Sequence, residues 1–334
     1  MSELEIQQQW HRHDFYAMGC QMSAWLELAD EEIALRTLTQ TEALFAAAEQ
    51  RLTRFSPTSE LSQLNAHPNE WYAVSNVLWV VVNRALELAK QTAGRFDPTL
   101  LTALMAAGYD RSFDLLTSEA KASFHLNGNG ATPPAINGMV GRWQAVELDS
   151  ARHAICLPTG VQLDLGGIGK GYTAQQAVHF LSQWGPCLVD AGGDLVAGDA
   201  PATLPGWPVA IAAPSGENVD STRDLAQLWL KNGALATSGT DYRHWQQHGR
   251  AMHHLIDPAT GQPAVSDLVT VSVLAGDATV AEAWAKALFM AGHAAAAQEM
   301  VQRGIAAALV DHGQGLTVSA TLEPFIEARF DGQA

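Results

Sequence analysis

The chain has 334 residues, 47% of them hydrophobic, and a formal net charge of −16. This is enough apolar material for one large or two modest packed units, and the acidic balance excludes a nucleic-acid partner, whose phosphates demand clustered Lys and Arg. No apolar run is long enough to span a bilayer, and Cys20, Cys156 and Cys187 are too dispersed, and too odd in number, for a disulfide framework or a zinc site.

Taken in chain order, residues 1–12 are polar and charged and are expected to be loosely ordered. They lack the apolar stretch of a secretion signal, as does the segment before Ala17-Met18-Gly19-Cys20, which superficially resembles a lipoprotein cleavage site. A cytoplasmic location is therefore the expectation. A strand pattern lies within Phe15 to Leu28. Asp30 is placed to cap a long helix from about Glu31 to Arg54, and Ser56-Pro57 ends it. A short helix is expected over Ser59 to Leu64. A second long one, capped by Ser75, runs to about Thr92 and is closed by Gly94. Asp110 to Gly141, rich in Gly, Asn, Pro and Ser, reads as an exposed loop. Strands follow at short intervals, at 143–148, 154–157, 161–165, 187–190, 194–197, 207–213, 225–230, 234–237, 252–257 and 268–275, with final helices near 279–291 and 294–303. Helices first and a strand-rich half second predict an α+β (mixed α/β) fold.

Within that layout Leu163 to Tyr172, LDLGGIGKGY, is the most informative decade. Val161, Leu163 and Leu165 alternate with polar residues as a half-buried strand does. Gly166, Gly167, Gly169 and Gly171 follow, and then a helical pattern continues to Trp184. A strand, a glycine-rich turn and a helix with Lys170 at its entrance suit a phosphate or pyrophosphate, because bare backbone N–H groups and a helix start both attract anions. A tight turn in an α/β protein is the plainer reading of the same residues. An acidic chain that binds an anion must gather its few cations in one place, which draws attention to Lys170 and Arg243.

Other short motifs surround this one. Val189-Asp190-Ala191-Gly192-Gly193-Asp194 reads as a hairpin, and Thr237-Ser238-Gly239 ends a strand shortly before Tyr242 and Arg243. In His253-His254-Leu255-Ile256-Asp257-Pro258, strand alternation puts the two histidines on opposite faces, one buried or ligand-facing and the other solvated. A histidine paired with an acid in a cleft is a candidate proton carrier. Asp97 or Thr99 suffices, on its own, to cap the next helix.

Met18-Gly19, the Arg54 to Asn65 run, Phe96-Asp97-Pro98-Thr99, LDLGGIGKGY, AGGD, ATSG, HHLIDPATGQP and the Val269 to Val273 strand occur in one order. That order resembles the FAD:protein FMN transferases, the ApbE-type flavin transferases, over roughly Phe15 to Gly292. The resemblance implies one flavin transferase-like domain over 13–330, its helical N-terminal part packed on a strand-rich C-terminal part, with a mobile loop near 117–141. It implies an enzyme that splits FAD with a divalent cation, usually Mg²⁺. Such an enzyme passes FMN to a Ser or Thr hydroxyl of an acceptor protein and releases AMP. Met18, Phe55, Arg95, Phe96, Asp97, Asp164, Lys170, Leu255 and Ile256 would then line the FAD site. His254 and Asp257 would handle protons or orient the pyrophosphate.

One departure stands out. The helix after the Val269 to Val273 strand usually opens Ala-Asp-Ala-x-x-Thr in that family, and its Asp and Thr hold the metal together with a backbone carbonyl of the glycine turn, here Gly167. This chain reads Ala281-Glu282-Ala283-Trp284-Ala285-Lys286. Glu282 still offers a carboxylate, but a protonated Lys286 cannot ligate a cation and marks the position only. An ordinary Glu-to-Lys helical ion pair is one reading. The other puts the Lys286 ammonium on the metal's ground, paired with Glu282. FAD binding without transfer, or hydrolysis of FAD to FMN and AMP, are the alternatives to a transferase.

Overall fold

The computed structural model describes residues 10–113, 141–214, 223–247 and 250–330. The loop expected near 117–141 lies, apart from Gly141, outside them, as do residues 1–9. Two strands, β1 (Trp10–Ala17) and β2 (Cys20–Glu27), form a hairpin in register from Trp10 opposite Glu27 to Ala17 opposite Cys20. Residues 10–12, expected to be loosely ordered, are instead part of β1, where pairing with β2 satisfies their backbone. Met18 and Gly19 make the turn with φ of 51° and 70°, the paired positive values that tight hairpins require. A side chain at φ 51° is costly, and Met18 is held there by its N–H donating to Glu49 Oε2 at 3.1 Å.

Helix α1 (Glu31–Leu52) follows, with Asp30 capping the Ile33 N–H at 3.0 Å. Helix α2 (Glu60–Asn65) is capped by Ser59, and β3 (Tyr72–Ala73) leads to α3 (Asn76–Gln91), capped by Ser75. A left-handed Ala93 and Gly94 close α3, with φ of 53° and 80°. Helix α4 (Leu101–Ala106) carries no side-chain cap, because the Asp97 carboxylate turns to Thr99 instead. Residues 143–145 form a 3₁₀ turn, so the strand expected from 143 shrinks to β4 (Glu147–Asp149), paired with β5 (Ala154–Cys156).

Residues 161–165 are not a strand. Their burial alternates as expected, Val161, Leu163 and Leu165 inward, but the backbone partner is a side chain: the Asn65 amide accepts from Leu163 N–H at 2.8 Å and donates to Leu163 O at 2.9 Å. Asp164 N–H donates to the Pro98 carbonyl at 2.8 Å. Helix α5 (Gly169–Leu181) then leads to the hairpin β6 (Cys187–Ala191) and β7 (Leu195–Ala197). Strands β8 (Trp207–Ala212), β9 (Asp224–Leu230) and β10 (Gly233–Gly239) follow. The strand expected over 252–257 breaks in two: β11 (His244–Gln247) pairs with β12 (Arg250–His253), and β13 (Ile256–Asp257) pairs with β14 (Gln262–Pro263). Strand β15 (Leu268–Ala275), helices α6 (Ala278–Ala291) and α7 (His293–Arg303), and β16 (Ala306–Asp311), β17 (Leu316–Val318) and β18 (Ile326–Arg329) complete the described chain.

Among the described residues one antiparallel sheet runs β1-β2-β6-β7-β10-β15-β16-β17. One face packs on α1, α5 and α6 through Leu38, Phe45, Ala177, Leu181 and Leu288. Full burial of one such large side chain is worth about 1.5–3 kcal/mol. The other face is covered by the small sheet β18-β9-β8, with Trp207, Leu228 and Ala308 in the seam. A separate core joins α3 to the 146–168 segment through Leu78, Val82, Ile155 and Leu163. The fold is α+β, as expected. Among the described residues no helix is long and apolar enough to cross a membrane.

Candidate active site

A cavity of about 760 Å³ opens where the two helix-packed cores meet the sheet. Its walls bring together the β1–β2 turn, the residues after α1 and α3, the glycine turn before α5, the β6–β7 turn, and the 254–256 step between β12 and β13. Of the residues the sequence points to, it contains Met18, Phe55, Arg95, Phe96, Asp97, Asp164, Gly167, Lys170, His254, Leu255, Ile256 and Lys286. Glu282 and Asp257 are not in the lining. The Asp257 carboxylate accepts from Ala259 N–H at 2.9 Å and Thr260 Oγ1 at 3.0 Å, which fixes the Asp-Pro turn instead.

One end of the cavity is closed by a charged pair wrapped in aromatic rings. Arg54 Nε lies 2.6 Å from Asp164 Oδ2, with the Arg54 side chain only 5% exposed. Its guanidinium stacks 4.2 Å from the Phe55 ring centroid and 4.8 Å from that of Tyr109, and an N–H donates to the Tyr109 carbonyl at 2.7 Å. The other Asp164 oxygen accepts from Gly166 N–H at 3.0 Å. Tyr109 continues the aromatic wall to Trp245, with ring centroids 5.4 Å apart. Arg95 pairs with Glu299 at 2.5 Å, so its charge is already matched.

Asp97 is half-satisfied. Thr99 N–H and Thr99 Oγ1 both donate to its Oδ1, at 2.7 and 2.6 Å, while the buried Oδ2 has no partner among the described residues. Burial, the dominant influence, pushes the Asp97 pKa above the ordinary carboxylate value against the two Thr99 hydrogen bonds. A buried oxygen without a partner calls for an explanation, and a donor on a ligand is one that its place in the cavity wall allows.

The opposite end is a knot of charges around the start of α5. Lys170 forms an ion pair with Asp194, and its Nζ is also 3.5 Å from Glu282 Oε1. Glu282, 1% exposed, accepts from Gly171 N–H with Oε2 at 3.1 Å. A Cβ on Gly171 would sit 2.4 Å from that oxygen, so the glycine makes room for this carboxylate. Lys286 does not pair with the Glu282 carboxylate as its i+4 spacing suggests. Its Nζ donates to the Glu282 backbone carbonyl at 3.2 Å, and its stem lies over Gly167, with Cε 3.4 Å from where a Cβ would be.

Burial disfavours every charge in this knot, and the partners decide which survive. Burial works against the Lys170 ammonium, but Asp194 and then Glu282 hold its pKa above the ordinary lysine value. Asp194 is held below the ordinary carboxylate value by Lys170 and Lys286, against its own burial. Burial raises Glu282 to about 8, with Asp194 adding to the effect. Lys286 is lowered by burial and by Lys170 and Arg243.

His254 faces the cavity, and His253 is buried rather than solvated, with Nε2 3.0 Å from the Ala264 carbonyl. Burial lowers His253 to about 4. His254 is lowered well below the ordinary value by burial and by the neighbouring Arg243 charge. Its Nδ1 lies 3.4 Å from the Arg243 carbonyl, which can only accept, so Nδ1 carries the proton and Nε2 the lone pair. Asp194, the Arg54–Asp164 pair and Tyr109 are structural findings that spacing did not reveal. Asp194 closes the AGGD motif, but its partnership with Lys170 exists only once the β6–β7 turn is seated against α5.

The molecule is thus an α+β fold whose cleft joins an aromatic end, closed by the Arg54–Asp164 pair, to a cluster of charges at the start of α5. The ApbE family model matches residues 18–309, and the chain belongs to that family. A FAD:protein FMN transferase of Treponema pallidum is 30% identical over 277 residues, covering 77% of this chain and 71% of the relative. One from Salmonella typhimurium is 28% identical over 298 residues, covering 86% and 80%. The fold is similar to the ApbE protein of Thermotoga maritima (TM-score 0.81, 24% identity, 96% and 100% coverage) and to the flavinyl transferase ApbE of Pseudomonas stutzeri in its apo form (0.76, 22%, 96% and 98%).

Proposed function

We propose that this chain transfers the FMN half of FAD to a Ser or Thr hydroxyl of an acceptor protein and releases AMP. One observation carries the reading: motifs scattered from Met18 to Lys286 converge on a single cavity, whose size falls in the ~300–1,000 Å³ range of ligand pockets. The flavin is assigned to the aromatic end beside Met18 and Phe55, with the partnerless Asp97 oxygen accepting a donor from the ligand. The diphosphate is assigned to the Lys170 end, where Lys170 and Arg243 line the wall.

The chemistry is a phosphoryl-type substitution. The acceptor oxygen bonds to the phosphorus of the FMN half as the bond from that phosphorus to the bridging oxygen breaks, and the bridging oxygen leaves on AMP. The proton of the acceptor hydroxyl passes to Nε2 of His254 as the new P–O bond forms; burial and Arg243 lower the His254 pKa, so the ring enters the reaction neutral and accepts the proton only as the hydroxyl becomes acidic. The surrounding cations offset the negative charge that gathers on the phosphoryl oxygens.

Mg²⁺ needs a near-octahedral set of oxygens at about 2.0–2.1 Å. The residues at the position expected for it do not fit: the Glu282 carboxylate is turned to Gly171 and Lys170, and an amine stands at 286. Among the described residues no group of three His, Cys, Asp or Glu side chains is arranged to hold a metal ion.

The test is intact-mass spectrometry of a Ser/Thr-bearing acceptor incubated with the purified chain and FAD. Covalent gain of the FMN mass with stoichiometric AMP is expected. Free FMN plus AMP without a modified acceptor would mean a pyrophosphatase, and tightly held FAD without products a binding protein. The His254→Gln variant should lose about 10²–10⁴-fold in transfer rate while still binding FAD.

A further inference from the structure

The end of the cavity assigned above to the diphosphate carries the Lys286 amine in its wall. Lys286 reaches from α6 across Gly167, its Cε 3.4 Å from the position of a Cβ there, and it lines the cavity. Of the three N–H bonds on its ammonium, one is directed to the Glu282 carbonyl at 3.2 Å, which leaves donors for an anion. The Glu282 carboxylate, which an i+4 lysine would ordinarily claim, is taken by Gly171 N–H at 3.1 Å and by Lys170 at 3.5 Å. Lys170 in turn is paired with Asp194. The knot therefore matches Lys170 to carboxylates and, among the described residues, leaves Lys286 without one as its hydrogen-bond partner, in a wall shared with Arg243.

Asp194 and Glu282 favour the Lys286 charge from a distance, but among the described residues neither is hydrogen-bonded to it, and an anion that enters the cleft can take its open donors. We propose that Lys286 holds the diphosphate of FAD directly and takes the place of a divalent cation, so that this chain binds the dinucleotide without metal. The inference rests on the FAD reading above. A diphosphate diester carries two negative charges. Lys286 and Arg243 can match both, whereas Mg²⁺ placed over Gly167 would have to displace a covalently tethered ammonium.

The test is isothermal titration of FAD into the full chain, once in excess EDTA and once in millimolar MgCl₂, for the wild type, Lys286→Gln and Lys286→Thr. The wild-type Kd is expected to agree between the two buffers within about twofold, and Lys286→Gln in EDTA to bind about tenfold or more weaker. Lys286→Thr clears the face of Gly167 and adds a hydroxyl oxygen, so MgCl₂ is expected to tighten its binding by about tenfold. Tightening of the wild type by MgCl₂ to a similar degree would overturn the proposal and leave the FAD reading intact. Unchanged affinity in a folded Lys286→Gln, or a folded Lys286→Thr indifferent to MgCl₂, would also overturn it. Where a variant's melting curve shows it unfolded, the wild-type comparison decides alone. Absence of FAD binding in both buffers removes the FAD reading and this inference together.

Discussion

The two ends of the cavity solve the problem of buried charge in opposite ways. At the aromatic end Arg54 and Asp164 neutralise each other at 2.6 Å, and Phe55 and Tyr109 sandwich the guanidinium. Among the described residues the buried Asp97 Oδ2 is the carboxylate oxygen there without a hydrogen-bond partner. At the other end Lys170, Asp194, Glu282 and Lys286 crowd the start of α5, and the pairing does not close. A closed pair makes a wall, and the cluster at the other end is where we propose that the diphosphate sits. On that reading the difference separates residues that hold the site's shape from residues that meet the ligand.

The largest effect is expected from Lys170→Met. It leaves Asp194 and Glu282 together in the interior without their shared cation, and removal of one partner of a buried pair costs about 3–5 kcal/mol. Urea unfolding should show that loss, and an unchanged midpoint would mean that the knot is solvated. Next comes Arg54→Ala, which strips the charge partner of Asp164 and two ring contacts. Each ring contact is worth about 0.5–2 kcal/mol, so a clear fall in melting temperature is expected even without FAD. Gly171→Ala is expected to cost about 1–3 kcal/mol, as overpacking generally does, because the new Cβ would lie 2.4 Å from Glu282 Oε2 and 3.2 Å from Ala278 Cβ.

The smallest stability effect, with the opposite sign, belongs to Asp97→Asn. Burial raises the folded pKa of Asp97, so the folded protein holds this proton more tightly than the unfolded chain does. Stability is therefore lost as pH rises from the unfolded carboxylate value through the raised folded one. The amide avoids that penalty, so at pH 7 the variant should unfold no earlier than the wild type. Its FAD affinity should fall by about tenfold, since an oxygen left open to the ligand becomes an NH₂. Stability and affinity moving down together would show that Asp97 acts as scaffold only.

Much of this was legible in the sequence, and the failures have physical causes. Asp30, Ser59 and Ser75 announced their helices because capping is local. The 161–165 segment shows the right burial alternation but is no strand, since its partner is the Asn65 amide, 98 residues away. Strand β16, AAALVD, escaped because it is buried on both faces and so shows no alternation. At the site, the order of motifs gathered most of the lining, including the His254 to Ile256 step. It also promoted Asp257, whose carboxylate the following turn consumes. Lys286 and Glu282 were recognised as a changed pair, but which oxygen the ammonium meets depends on Gly171 admitting the longer carboxylate to the start of α5.

A crystal structure of the chain with FAD, grown in EDTA, tests most directly whether these two ends divide the dinucleotide between them. The isoalloxazine should lie against Phe55 and Met18, with a diphosphate oxygen within hydrogen-bond reach of Lys286 Nζ. A diphosphate bound away from Lys170 and Lys286, or FAD absent from this cavity under conditions where the protein binds it, would contradict the assignment.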